Sequence, residues 1–312
     1  DRNLDYRQRT LRNETGCTGI GLHSGQKIDL SIKPAPVNHG IRFIRKDARV
    51  RSTVKACYKN VVDTNLCTSI GFNGYKVSTI EHLMAAFFGL GIDNAIVELS
   101  GPEVPIMDGS AAPFVFLLKS AGIVEQKAPK RFLVIQKPFE VCEDGKSVSL
   151  RPSKELKITY TIDFSHPLLR NQKYELQFSG RDFVKEISRA RTFGFLKDIE
   201  HLRSKGLAMG GSLDNAIVID DFRVINEDGL RYRDEFVRHK ILDFIGDLAI
   251  LGVPIIGHFV VRKSGHSLNH TVLKSLIERK ECWQEITFNS PQECCQDDFS
   301  IPVFGSLDTA LA

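Results

Sequence analysis

No stretch of this chain approaches the roughly 18 consecutive apolar residues that a membrane-spanning helix needs. Its most apolar windows, Ala95–Leu99 and Ile255–Val261, have the length of single strands, so an integral membrane protein is not expected. Charge of one sign is also lacking. Lys and Arg total 42 against 38 Asp and Glu, a net +4 that is too small and too evenly spread for a nucleic-acid surface. A local basic pocket for an anionic small molecule is still compatible with it. Cysteine is sparse: seven residues, an odd number, with no Cys-x-x-Cys and one adjacent pair, Cys294 and Cys295. That argues against a disulfide framework or a cysteine-rich zinc site and fits reduced thiols in a cytoplasmic protein. The start, Asp1 to Glu14, is polar and offers no signal peptide.

What is present is enough for packed cores: 312 residues, 42% of them hydrophobic, or about two domains at roughly 150 residues each. From Thr10 to about Val124, short strand-like runs alternate with turn signals, then give one helix and the strand Asn94–Leu99, an α+β pattern. Glu125–Lys130 is polar and carries a proline, and the strand-rich pattern restarts at Phe132, so a linker is expected there. The second segment again runs through strands, then helices expected at Asp182–Phe195 and Asp234–Leu251, then a strand ending near Val261. Helix, glycine, strand recurs in His82–Leu99 and His239–Val261, a hint of a duplicated fold. The boundaries that follow are 1–127 and 128–290 for the two domains, with 291–312 as a polar tail, irregular from Trp283 onward.

Two helices carry chemistry. In the first, Ile80, Leu83, Met84, Phe87 and Phe88 form an apolar stripe behind Ser78, a good N-cap, and Ala85 and Ala86 cover other faces. Glu81 and His82 are thus polar groups on a largely buried helix. They fit either a Ser-x-x-Glu capping box with a hydrogen-bonded core histidine, or a functional pair. In the second, Val237, Ile241, Phe244, Ile245 and Leu248 face the core while Glu235, His239, Asp243 and Asp247 stack at four-residue steps. His-x-x-x-Asp at that spacing can chelate one ion, though the row also fits a solvated face. Gly265-His266 follows a strand end, where an imidazole can stand at a cleft mouth; on those residues alone an exposed loop histidine is the plainer reading.

The segments Gly19-Ile-Gly-Leu-His-Ser-Gly25, Asp63-Thr-Asn-Leu-Cys-Thr68, Ser78-Thr-Ile-Glu-His-Leu83, Pro105-Ile-Met-Asp-Gly-Ser-Ala-Ala-Pro-Phe114, Ser188-Arg-Ala-Arg-Thr-Phe-Gly194, Phe236-Val-Arg-His-Lys-Ile-Leu-Asp243 and Lys263-Ser-Gly-His266 together resemble the UDP-3-O-acyl-N-acetylglucosamine deacetylases, zinc enzymes of bacterial lipid A synthesis. The likeness runs from about Arg9 to about Trp283, with the motifs in matching order. It implies two similar α+β domains whose sheets sandwich the helices, with the site at their junction. It also implies zinc held by His82, His239 and Asp243, with a fourth position open as in a catalytic site. Iron accepts the same donors. Glu81 is then implied as general base, and His266 as the second acid/base group, oriented and kept protonated by Asp247. Thr192 is implied as a hydroxyl stabilising the oxyanion.

For the substrate, an acylated UDP-N-acetylglucosamine, the resemblance implies Lys240 and Lys146 near the nucleotide diphosphate and Phe193 packed on the sugar or nucleotide. It implies Leu196, Ile199, Ala208, Ser212, Ala216 and Val218 along an acyl-chain passage. Without it, those six read as ordinary core. A monomer is expected. His23 stays open between a turn residue and a second metal contact. Two rivals have to be told apart from this function: a metal-dependent deacetylase of another amide, and a UDP-sugar binding protein without catalysis.

Overall fold

The computed structural model describes residues 5–48, 52–290, 293 and 300–304. Its helices are α1 (Glu81–Gly89), α2 (Ala112–Ser120), the short α3 (Gly180–Asp182), α4 (Leu196–Ser204), α5 (Glu235–Ala249) and α6 (His266–Glu278). In the first half, strands line up in the order Thr15–Ile20, Lys27–Pro34, Ala95–Leu99, Ile41–Arg45, Thr53–Lys55. All neighbours are antiparallel except Ile41–Arg45, which runs parallel to Ala95–Leu99. A second sheet of seven strands belongs to the second half. Its centre is Ile255–Arg262, flanked by Lys146–Arg151 antiparallel and Leu156–Ile162 parallel. The chain is thus α+β in two similar halves, each offering helix, central strand, helix: α1, Ala95–Leu99, α2, and α5, Ile255–Arg262, α6.

Period-two patterning explains the strands. Along Lys27–Pro34 the residues Ile28, Leu30 and Ile32 point inward and their neighbours outward. Helices α1, α2, α5 and α6 lie between the two larger sheets. α1 packs along α5, α2 reaches the Thr15–Ile20 edge, and α5 and α6 lean on the strands of the second sheet. One apolar core runs through both sheets and all these helices. Being covered on every side is why α1 needs alanines where a surface helix would carry charges. No helix among the described residues is long and apolar enough to cross a membrane.

Several expectations need correcting. Ser78 does not cap α1: the helix starts at Glu81, behind Ile80, with no side-chain cap. Thr79 intervenes at φ 57, a left-handed conformation costly for a β-branched residue, and is held there by donating to Glu103 Oε1 at 2.8 Å. The helix expected at Asp182–Phe195 stops early. After α3, a single π-type turn, Phe183–Ile187, ends it, because the chain beyond is drawn off to other partners and continues as the strand Phe193–Phe195. His266 is not on a loop but is the first residue of α6, whose Leu268, Val272, Leu273 and Leu276 are buried. Irregular chain beyond Trp283 is also wrong, since Trp283–Thr287 is a strand paired with Arg131–Ile135 and Phe288, Ile301 and Phe304 are buried. The stretch expected as a linker is strand as far as Pro129, paired with Arg7–Leu11. Cys294, Cys295 and most of 291–312 lie outside the described residues.

Candidate metal centre and active site

α1 and α5 touch where each carries its polar residues. Gly246 makes this possible, since a Cβ there would run into the Glu81 carbonyl. The close approach sets His82 of α1 against His239 and Asp243 of α5. All three are buried, each offering one ligand atom within 4.8 Å of the others. Asp243 Oδ1 lies 3.3 Å from His239 Nε2 and 3.5 Å from His82 Nε2, and the imidazoles meet edge to face. These distances are too long for good hydrogen bonds and suit three donors facing a common centre.

The surroundings fit a cation. His239 Nδ1 donates to the Ala190 carbonyl at 3.0 Å, which leaves the Nε2 lone pair toward the centre. Burial, together with the neighbouring His82, pulls the His239 pKa down to about 4, so it is neutral at neutral pH despite Asp243. Against the upward push of burial, His239 and Lys240 hold Asp243 well below the usual carboxylate range. Lys240 Nζ takes Asp243 Oδ2 at 2.7 Å, so Oδ1 is the oxygen left for an ion. His82 Nδ1 is buried and has no hydrogen-bond partner among the described residues. Two imidazoles and one carboxylate suit zinc or ferrous iron.

Beside the triad stands a second group. Glu81 Oε2 accepts the Thr68 N–H at 3.0 Å, so Glu81 is anchored from a strand end and not through a capping box. Its Oε1 lies 3.7 Å from His266 Nε2. His266 Nδ1 donates to Asp247 Oδ2 at 2.8 Å. Burial pushes the Glu81 carboxyl up to about 8 against the pull of His266, and a divalent cation held by the triad would oppose that rise. Burial pushes His266 down, but the Asp247 carboxylate overcomes it and raises His266 to about 10.

Of the stacked row on α5, then, His239 and Asp243 join the triad, Asp247 turns to His266, and Glu235 is used elsewhere. Glu235 accepts the backbone N–H and the guanidinium of Arg191 at 3.0 and 2.9 Å and fixes the segment before Thr192. Thr192 donates its N–H to Gly109 at 2.8 Å; Gly109 sits at φ 84, where a side chain would strike the Asn215 carbonyl. Phe193 is half-buried, its ring 6.3 Å from His239 and 5.1 Å from Phe236. Lys146 is exposed at the hairpin opposite Glu143. Leu196 and Ser212 are exposed, Ile199, Ala208 and Ala216 half-buried and Val218 buried. They spread over α4, the following loop and the strand Ile217–Ile219, not over one buried core, so core packing does not account for most of them. His23 lies in a turn whose His23 and Ser24 N–H groups donate to Glu103 at 2.9 Å each, and it is not among the three clustered donors.

Residues 8–278 match the family model described as UDP-3-O-acyl N-acetylglycosamine deacetylase. The chain belongs to that family. Relatives named UDP-3-O-acyl-N-acetylglucosamine deacetylase include one from Chromohalobacter salexigens, 53% identical over 95% of this chain and 98% of the relative. Another, from Saccharophagus degradans, is 56% identical over 92% and 95%. A third, from Acidithiobacillus ferrooxidans, is 54% identical over 90% and 93%. As a deacetylase of this family the chain is a hydrolase, and the buried His82, His239 and Asp243 group is consistent with a metal-dependent one.

Neither spacing nor residue type in the sequence singles out Thr68, Asn269, Glu103 or Tyr160. All are buried and bonded at or behind the site. Of these, only Thr68 falls within a segment that carries the family resemblance, Asp63–Thr68.

Proposed function

We propose that the chain hydrolyses the N-acetyl group of UDP-3-O-[(3R)-hydroxyacyl]-N-acetylglucosamine to acetate and the free amino sugar, the committed step of lipid A biosynthesis, in the cytoplasm. The observation that carries this is the pairing, in one buried site, of a three-donor triad with a carboxylate and an imidazolium on its flank. His82, His239 and Asp243 would hold the ion, zinc or ferrous iron, which when bound supplies Lewis acidity toward a carbonyl and a water.

The residues of the chain supply the rest. Glu81 takes a proton from the attacking water as its oxygen bonds to the acetyl carbon. The Thr192 hydroxyl, which has no partner among the described residues, can donate to the oxyanion that forms. His266, charged through Asp247, gives its Nε2 proton to the nitrogen as the C–N bond breaks, since an unprotonated amine leaves poorly. Lys240 braces Asp243 and stands within reach of an anionic group, and Phe193 offers a ring beside the ligand His239. Lys146 is proposed for the diphosphate. Leu196, Ile199, Ala208, Ser212, Ala216 and Val218 are proposed for the acyl chain, their small members leaving room and Leu196 presenting apolar surface to solvent.

Comparing acetate release from the acylated UDP-sugar and from its non-acylated parent tests the substrate. The acylated compound should react far faster, and equal rates would defeat the lipid reading. Asp243→Ala should strip most of the metal from the purified protein, as metal analysis would show; full occupancy would rule out that ligand. The role of Asp247 predicts a pH effect. His266 keeps its charge below its raised pKa of about 10 and loses it as pH climbs through that value, so kcat/KM should fall on the alkaline side. In Asp247→Ala the strongest raising group is gone and only Glu81 and Asp243 still oppose burial, so a pH–rate profile should show that fall displaced toward lower pH.

A further inference from the structure

Asp247 is held by more than His266. Its Oδ1 accepts the Thr68 hydroxyl at 2.6 Å, and its Oδ2 accepts the Asn269 amide at 2.8 Å alongside His266 Nδ1. Thr68 Oγ1 also lies 3.2 Å from His266 Nδ1. The same Thr68 is fixed to the first turn of α1 on both sides of its Cα: its N–H donates to Glu81 and its carbonyl accepts the Ile80 N–H at 3.3 Å. One residue therefore touches both flanking groups of the site, the carboxylate through its backbone and the Asp247–His266 pair through its hydroxyl. Asn269 is fixed in turn. Its Oδ1 accepts the Ser264 hydroxyl at 2.6 Å, and since a carboxylate only accepts, the amide nitrogen must be the end facing Asp247. Tyr160 ties down the same turn by donating to the Ser264 carbonyl at 2.8 Å.

We propose that Thr68 and Asn269 are positioning residues that fix Asp247, and through it His266, in register with Glu81. Both are buried polar groups whose bonds would have to go somewhere in any fold. Here they converge on a single carboxylate and leave it no freedom to rotate. His266 is then locked with Nδ1 toward Asp247 and Nε2 toward Glu81 and the reacting nitrogen. Thr68 comes from the first half of the chain and Asp247 and Asn269 from the second, so the acid and the base are spaced by a bond made across the two halves.

The proposal rests on the deacetylase reading, and its test separates the two. In the zinc-loaded enzyme, Thr68→Val keeps volume and both backbone contacts and removes only the hydroxyl. It should lower kcat about tenfold to a hundredfold, the usual scale for groups that orient a reacting residue, with KM within about twofold and metal content unchanged. Thr68→Ser should recover most of the loss, and Asn269→Leu should lower kcat in the same sense. A crystal structure of Thr68→Val should show Asp247 or His266 turned from the wild-type position. Undiminished kcat in Thr68→Val, or failure of Thr68→Ser to recover it, would overturn the proposal. So would an unmoved Asp247–His266 pair. Should wild-type enzyme release no acetate from the acylated UDP-sugar, the deacetylase reading falls, while the side-chain positions in the variant crystal still decide the positioning.

Discussion

Glu81→Gln is expected to lower kcat for acetate release by about a hundredfold or more, the scale of a lost general base, while leaving the metal in place. Glutamine has nearly the volume of glutamate and can still accept the Thr68 N–H through its amide oxygen, so the anchoring of the side chain survives. What it cannot do is take a proton. Because Glu81 is not one of the three clustered donors, metal analysis of the variant should match wild type. The substitution also removes the charge 3.7 Å from His266, but Asp247 remains to hold that imidazole protonated. Turnover near wild type would refute the role given to Glu81. Loss of metal together with turnover would mean that Glu81 acts as a ligand.

Gly246→Val is expected to be the most disruptive single change to the scaffold. A Cβ at this position is aimed at the Glu81 carbonyl, a backbone atom that cannot swing away as a side-chain end can. Either α5 shifts away from α1 or α1 loses its first turn. Overpacking of this kind costs about 1–3 kcal/mol and occasionally more. The helix-propensity gain from replacing glycine, under about 1 kcal/mol, is too small to offset it. Since His82 follows Glu81 directly and His239 and Asp243 lie two turns and one turn before Gly246, the same displacement should spread the triad. Thermal unfolding should occur several degrees lower and metal content should fall with it. A variant as stable and as metal-rich as wild type would show that the two helices do not need this contact.

How far the sequence could be read depended on the kind of signal. Strands such as Ala95–Leu99 and Ile255–Arg262, and the long helix α5, announced themselves through apolar spacing, because burying one face imposes a period whatever the partner is. His82, His239 and Asp243 could be named because ligand chemistry restricts residue types and because motif resemblance joined two segments far apart in the chain. Ser78 misled because a cap is judged from local sequence, whereas Thr79 takes a left-handed turn imposed by Glu103 from another segment. Leu268, Val272 and Leu276 carry the helical spacing of α6, but the Ser264-Gly265 that precede them read as a strand end and mask its start at His266. Thr68 and Asn269 were out of reach for a different reason. A neutral polar residue has no spacing rule, and its meaning comes only from the carboxylate that the fold places beside it.

Metal stoichiometry, measured together with acetate release from the acylated UDP-sugar before and after chelation, bears most directly on the triad. One divalent ion per wild-type chain is expected, with activity lost on chelation, restored by zinc or ferrous iron, and no ion retained once His82, His239 and Asp243 are all replaced by alanine. Full acetate release from chain freed of metal, or an ion still bound after all three replacements, would contradict a hydrolase built on those side chains.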